Sequence, residues 1–213
     1  MRRGTFLPSR RSFVCAAVGL PPLVLAGEAW SQASDEMTVG SASAPLHIIE
    51  YASLTCPHCA QFHAQNWETL RTRYIETGRV RFTLREMATQ PASVAGGMFQ
   101  LARCENAAPE EYLRRVKILF ERQAAILGTG TMGGVRNALV ATGAEWGLSE
   151  AQVMACLTDP AGAARVRRSS EQAAQLGVNH TPSFLFNGVL DEDHDFLTPE
   201  GMVRILEARL ARR

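Results

Sequence analysis

The sequence predicts an α/β domain interrupted by a block of helices, and three observations predict it. Residues 45–87 pass from a short apolar run to a helix-period segment and then to a period-two segment, the order β-α-β. From Pro91 to Leu176 the spacing is helical almost throughout. After that, "PSFLFNGVL" and a last amphipathic stretch supply β-β-α. The 213 residues suit one domain carrying such an insertion.

Taken in order, "PLHIIEYAS" (45–53) is a short apolar run entered from a proline, the pattern of a buried strand. "CAQFHAQNWETLRTRYIETG" places Phe62, Trp67, Leu70 and Tyr74 on one side of a helix, with Gly78 as its stop. "RVRFTLREM" (79–87) alternates Val80, Phe82 and Leu84 with Arg81, Thr83 and Arg85, a strand with one buried face. Within the helical block, starts are marked by Pro109 before two glutamates, by Ser149 with Gln152 as a capping box, and by Asp159 before Pro160. Asn187-Gly188 marks a two-residue hairpin turn. Thr198-Pro199 opens a helix with Met202, Val203, Leu206 and Leu210 on one face.

The first 33 residues are of another kind. "MRRGTFLPSRR" is basic, "SFVCAAVGLPPLVLA" is apolar, and small residues follow to Ser31-x-Ala33. That order is expected of an export signal, and "SRRSFV" resembles the twin-arginine type. The apolar run is short for a membrane span, and Pro21-Pro22 interrupts it. Without residues 1–33, 18 basic and 20 acidic side chains remain, a net charge of −2. No basic run survives, which argues against nucleic acid as a partner. Cys15 leaves with the signal, so four cysteines remain, an even number in a chain addressed to an oxidising compartment.

Cys56 and Cys59 frame Pro57 and His58 at the predicted strand-to-helix junction. A sulfur there lies near backbone N–H groups that have no helical partner, and these favour thiolate over thiol. A protonated His58 near the sulfur would add to that. Cys59, one turn on, points to the same side and can close a short disulfide. A zinc site built from Cys56, Cys59 and His63 lacks a fourth ligand, so no metal is expected. A structural Cys56–Cys59 bridge would close too small a loop to stabilise much. His63 reads as a solvated or packing histidine. Cys104 and Cys156 both fall on apolar faces of the helical block, either as two buried thiols or as a second, structural disulfide.

"IIEYASLTCPHC", the mid-chain helical block and "GVNHTPSFLFNG" together resemble the DsbA-like thiol:disulfide interchange proteins of the thioredoxin superfamily, over residues 38–211. The resemblance implies a thioredoxin fold with a helical insertion at about 91–176, between its β-α-β and β-β-α halves, in a domain spanning 34–213. It implies a periplasmic dithiol–disulfide exchange enzyme that uses no cofactor beyond its own cysteines. Cys56 and Cys59 would form the redox-active disulfide. Pro182 matches the family's cis-proline facing that dithiol, with Thr181 beside the sulfur as substrate contact. Glu50 matches a buried acid beneath the dithiol that carries protons for Cys59; the alternative is a structural carboxylate paired with Arg85 or Arg81 at a strand end. Expected partners are unfolded or reduced exported proteins and a quinone-linked oxidase in the membrane. Isomerases of the superfamily generally carry a dimerisation domain, for which 33–46 is too short, so a monomeric oxidase is expected. Thr181, where the best-known oxidases often have valine, leaves a reductase or isomerase as the alternative. A copper-binding chaperone using the dithiol is another.

Overall fold

A computed structural model describes Met1 and residues 35–212; the expected export signal, its cleavage site and Cys15 lie outside the described residues. Among the described residues, five strands form one sheet in the order β1-β3-β2-β4-β5. They are β1 (Met37–Val39), β2 (Leu46–Ala52), β3 (Val80–Glu86), β4 (Ser183–Phe186) and β5 (Val189–Leu190). β2 and β3 are parallel, joined through α1 (Pro57–Leu70), and the other pairs are antiparallel. This is the α/β order the sequence predicts and the thioredoxin fold that the resemblance implies.

The insertion holds α2 (Ala92–Ala102), α3 (Pro109–Leu127), α4 (Met132–Glu145), α5 (Glu150–Leu157) and α6 (Pro160–Gln175); α7 (Pro199–Ala211) follows the hairpin. The expected starts are present. Ser149 and Gln152 form the reciprocal capping box of α5, Asp159 caps α6, and Thr198 caps α7. Asn187 and Gly188 take φ of +50° and +85°, the left-handed pair a tight hairpin requires.

β2 divides the core. Ile48 and Ala52 face the main cluster, shared with α1, α3 and α7, while Ile49 and Tyr51 face a smaller one with Ala173, Val178 and Leu185. This alternation puts Glu50 on the α1 side. The strand pattern of residues 79–87 needs correction, because Thr83 is fully buried although it lies opposite the apolar face. Its hydroxyl is satisfied by Thr38 Oγ1 at 2.7 Å and His47 Nε2 at 2.8 Å, so a polar residue sits there without loss. The helix from Pro57 also does not run unchanged to Gly78. It widens into a π turn over Arg71–Ile75.

Candidate active site

The site begins with Cys56, the N-cap of α1. Its φ of −85° and ψ of 120° are extended, and Pro57 follows in the first helical turn. Pro57 has no N–H to donate, and its fixed φ suits that position. No side chain caps this end and no acidic residue lies in the first turn. The helix's free donors are therefore left to the Cys56 sulfur.

The preceding loop is tied by several hydrogen bonds. Cys56 N–H donates to Ser53 O at 3.1 Å. Ser53 Oγ accepts from Thr89 N–H at 3.2 Å, and Thr55 Oγ1 donates to Thr89 O at 3.1 Å. Gln123 Nε2, reaching out of α3, donates to Leu54 O at 2.9 Å and to Cys56 O at 3.0 Å. The insertion thus holds the strand-to-helix junction directly.

Cys56 and Cys59 are both buried free thiols, and their environments pull their acidities apart. Cys56 is lowered to about 5, first by the hydrogen bond with the Cys59 side chain. Burial opposes this; the Thr181 side chain and the backbone N–H groups of Cys59 and His58 add to it. Cys59 is pushed well up, first by burial, then by the Cys56 sulfur and the negative charge of Glu50. One sulfur is thus a thiolate at neutral pH and the other a thiol. His58 is exposed and contributes through its backbone N–H rather than through its imidazole.

Thr181–Pro182 is a cis peptide bond, and Cys56 Sγ lies 3.2 Å from Thr181 O. Both residues are buried, immediately before β4 begins. Sequence positions 125 residues apart therefore meet at one sulfur. Cys104 and Cys156, in the insertion, are joined as a disulfide with Cα atoms 5.6 Å apart.

Glu50 is fully buried below the dithiol, and among the described residues no arginine or lysine pairs with it. Arg85 instead bonds Glu36 and Tyr51. The partner of Glu50 is His63, whose Nε2 lies 3.0 and 3.2 Å from the two carboxylate oxygens. His63 is thus neither solvated nor merely packed. Its spacing of four from Cys59 was a signal for the shared helix face, but its partner on β2 is visible only in the fold.

A thioredoxin family model matches residues 32–208. The chain belongs to the thioredoxin family. A Rickettsia typhi protein named "Putative protein-disulfide oxidoreductase" is 25% identical over 162 residues, 76% of this chain and 58% of that protein. The chain therefore spans a little under three-fifths of that relative's length. Among solved structures, Wolbachia pipientis alpha-DsbA1 superposes with a TM-score of 0.73 at 20% identity, covering 84% of this chain and 92% of that one. A protein-disulfide isomerase from Novosphingobium aromaticivorans gives a TM-score of 0.69 at 21% identity, over 82% and 97%. This thioredoxin-family chain shares the fold of DsbA-type proteins.

Proposed function

We propose that the chain is a thiol:disulfide oxidoreductase that acts mainly as an oxidant of exported proteins. One observation carries this reading: two cysteines one turn apart, one held as thiolate at about 5 and the other well above its ordinary value. An internal disulfide made of this pair is attacked at Cys56 by a substrate thiolate. The bond between Cys56 and the substrate sulfur forms as the Cys56–Cys59 bond breaks, and Cys59 leaves and takes a proton, with Glu50 as the group that carries it. A second substrate thiolate then attacks the substrate sulfur. The substrate disulfide forms, and Cys56 departs as a stable thiolate, a good leaving group. The enzyme gains two electrons and the substrate loses two.

Pro57 sets the helix start, His58 lends a backbone donor, and Thr181 with Pro182 offers an extended substrate a backbone edge beside the sulfur. The export pattern of residues 1–33 supports a periplasmic setting, with reoxidation by a quinone-linked membrane partner and a monomeric enzyme needing no cofactor. The second reading, a disulfide isomerase or reductase, is favoured by Thr181, since the residue at that position can shift the potential by tens of millivolts. The name of the Novosphingobium neighbour supports it too. Refolding of a reduced, cysteine-containing substrate by the oxidised enzyme tests the first reading, and unscrambling of a misbridged substrate by the reduced enzyme tests the second. Fast oxidation with slow unscrambling is expected. The reverse result would make the chain an isomerase.

A further inference from the structure

His63 has a place in the chemistry that packing does not explain. Its ring lies near-parallel to Phe120, centroids 4.4 Å apart, and to Trp67 at 5.5 Å, with Phe62 edge-on at 5.7 Å. The His63 and Glu50 side chains are 2% and 0% exposed. Nε2 meets the carboxylate, while Nδ1 is buried with no partner among the described residues. A phenylalanine would fill the same aromatic layer without burying an unpartnered nitrogen. The imidazole is therefore there for what Nε2 does to Glu50.

We infer that His63 is a positioning residue for proton transfer: its Nε2–H orients the Glu50 carboxylate, so that a carboxylate oxygen can take the proton of Cys59. This rests on the dithiol reading above. A buried carboxylate needs a donor to fix its position, and a proton acceptor must lie within hydrogen-bond reach of the proton it takes. No lysine or arginine supplies that donor among the described residues; His63 does. From α1 the pair is faced by Cys59, and from α3 by Tyr112, whose hydroxyl is committed to Glu86 at 3.0 Å. β3 and β4 place Leu84 and Phe184 beside Glu50.

The step served is resolution of a mixed disulfide on Cys56. Cys59 gives its proton to Glu50 while its sulfur attacks Cys56 Sγ. The Cys56–Cys59 bond forms, the bond from Cys56 to the partner's sulfur breaks, and the partner leaves as a thiolate with the electron pair. The enzyme dithiol is oxidised by two electrons and the partner disulfide is reduced by two.

Glutathione disulfide serves as the probe. Reduced full-length protein is mixed with it across the neutral pH range, quenched with acid and weighed, so that mixed and internal disulfides are counted separately. His63→Phe, which keeps the stacked ring, should form the mixed disulfide at the wild-type rate. It should then resolve it about a hundredfold more slowly, the low end of general acid–base effects. That slower rate should climb with pH where the wild type is flat. His63→Gln, whose amide can donate from the Nε2 position, should recover most of the loss. In a Glu50→Gln background, His63→Phe should add nothing further. Should the phenylalanine variant not fold, His63→Met against His63→Gln makes the same comparison. Wild-type resolution with an unchanged pH profile in His63→Phe, no rescue by glutamine, or further slowing in the Glu50→Gln background would each overturn the inference. A wild-type protein that forms no internal disulfide from the probe would overturn the dithiol reading and this inference with it, so the wild-type trace tells the two failures apart.

Discussion

At the scale of residues, the chemistry depends on a division of labour between Cys56 and Cys59 that distance along the chain does not reveal. In a Cys59→Ser variant, thiolate absorbance at Cys56 should titrate near about 5, because serine keeps a donor beside the sulfur. Titration near the free-thiol value of about 8.5 would remove the proposed leaving group. Glu50→Gln should slow exchange with a peptide thiol in stopped flow and leave the potential nearly unchanged, since a proton carrier affects rate more than equilibrium. Equal rates would return Glu50 to a structural role. The cysteines, Pro182 and Glu50 were legible in the sequence because short motifs hold them. His63 was not, because its meaning lies in a carboxylate on another element. The exposed position of the His58 ring was not legible either, since which way a side chain leaves a helix start depends on what packs over it.

At the scale of elements, caps and turns could be read directly. The Ser149 capping box, the Asp159 cap and the Asn187-Gly188 turn are local contacts that a few adjacent residues decide. β1 escaped notice because three residues carry no period, and its place beside β3 is decided by pairing across the sheet. The Cys104–Cys156 bridge shows the same limit: apolar faces allowed either two thiols or one disulfide until the helices were placed. Closing that loop, at a separation of 52, should stabilise by about 4 kcal/mol in the chain-entropy model. Replacing both cysteines by alanine should lower the urea midpoint accordingly, and mass mapping of the unreduced protein should find no alkylatable thiol at either position. Gln123→Met should take from the Leu54 carbonyl its Gln123 donor, while the Cys56 carbonyl keeps the Ala60 N–H at 3.2 Å, at a cost of about 1–3 kcal/mol. Urea unfolding reads that cost, and a midpoint equal to wild type would mean that solvent replaces the amide.

At the scale of the whole molecule, the acidity of one thiol is linked to folding. The folded value of Cys56, about 5, lies below the value of about 8.5 in an unfolded chain, so the thiolate stabilises the reduced fold. This contribution is complete above the unfolded value and is lost as pH falls through about 5. Between neutral pH and pH 5 the reduced protein should lose about 2 kcal/mol that the oxidised protein, with no thiol to ionise, does not lose. Above the unfolded value Cys59 acts in the opposite direction, because its thiol stays protonated in the fold. Denaturant titration of both redox forms checks the sign; parallel curves would mean that the thiolate is not stabilised by the fold. The Gln123 side chain gives the molecule one more property. Its two bonds end on carbonyls on either side of Thr55, so the helical insertion supplies part of the frame around the reactive sulfur. A minimal thioredoxin cut from this chain by joining β3 to β4 would keep both cysteines and the Cys59, His58 and Thr181 groups that acidify Cys56, while losing the insertion's hold on the loop beneath the sulfur.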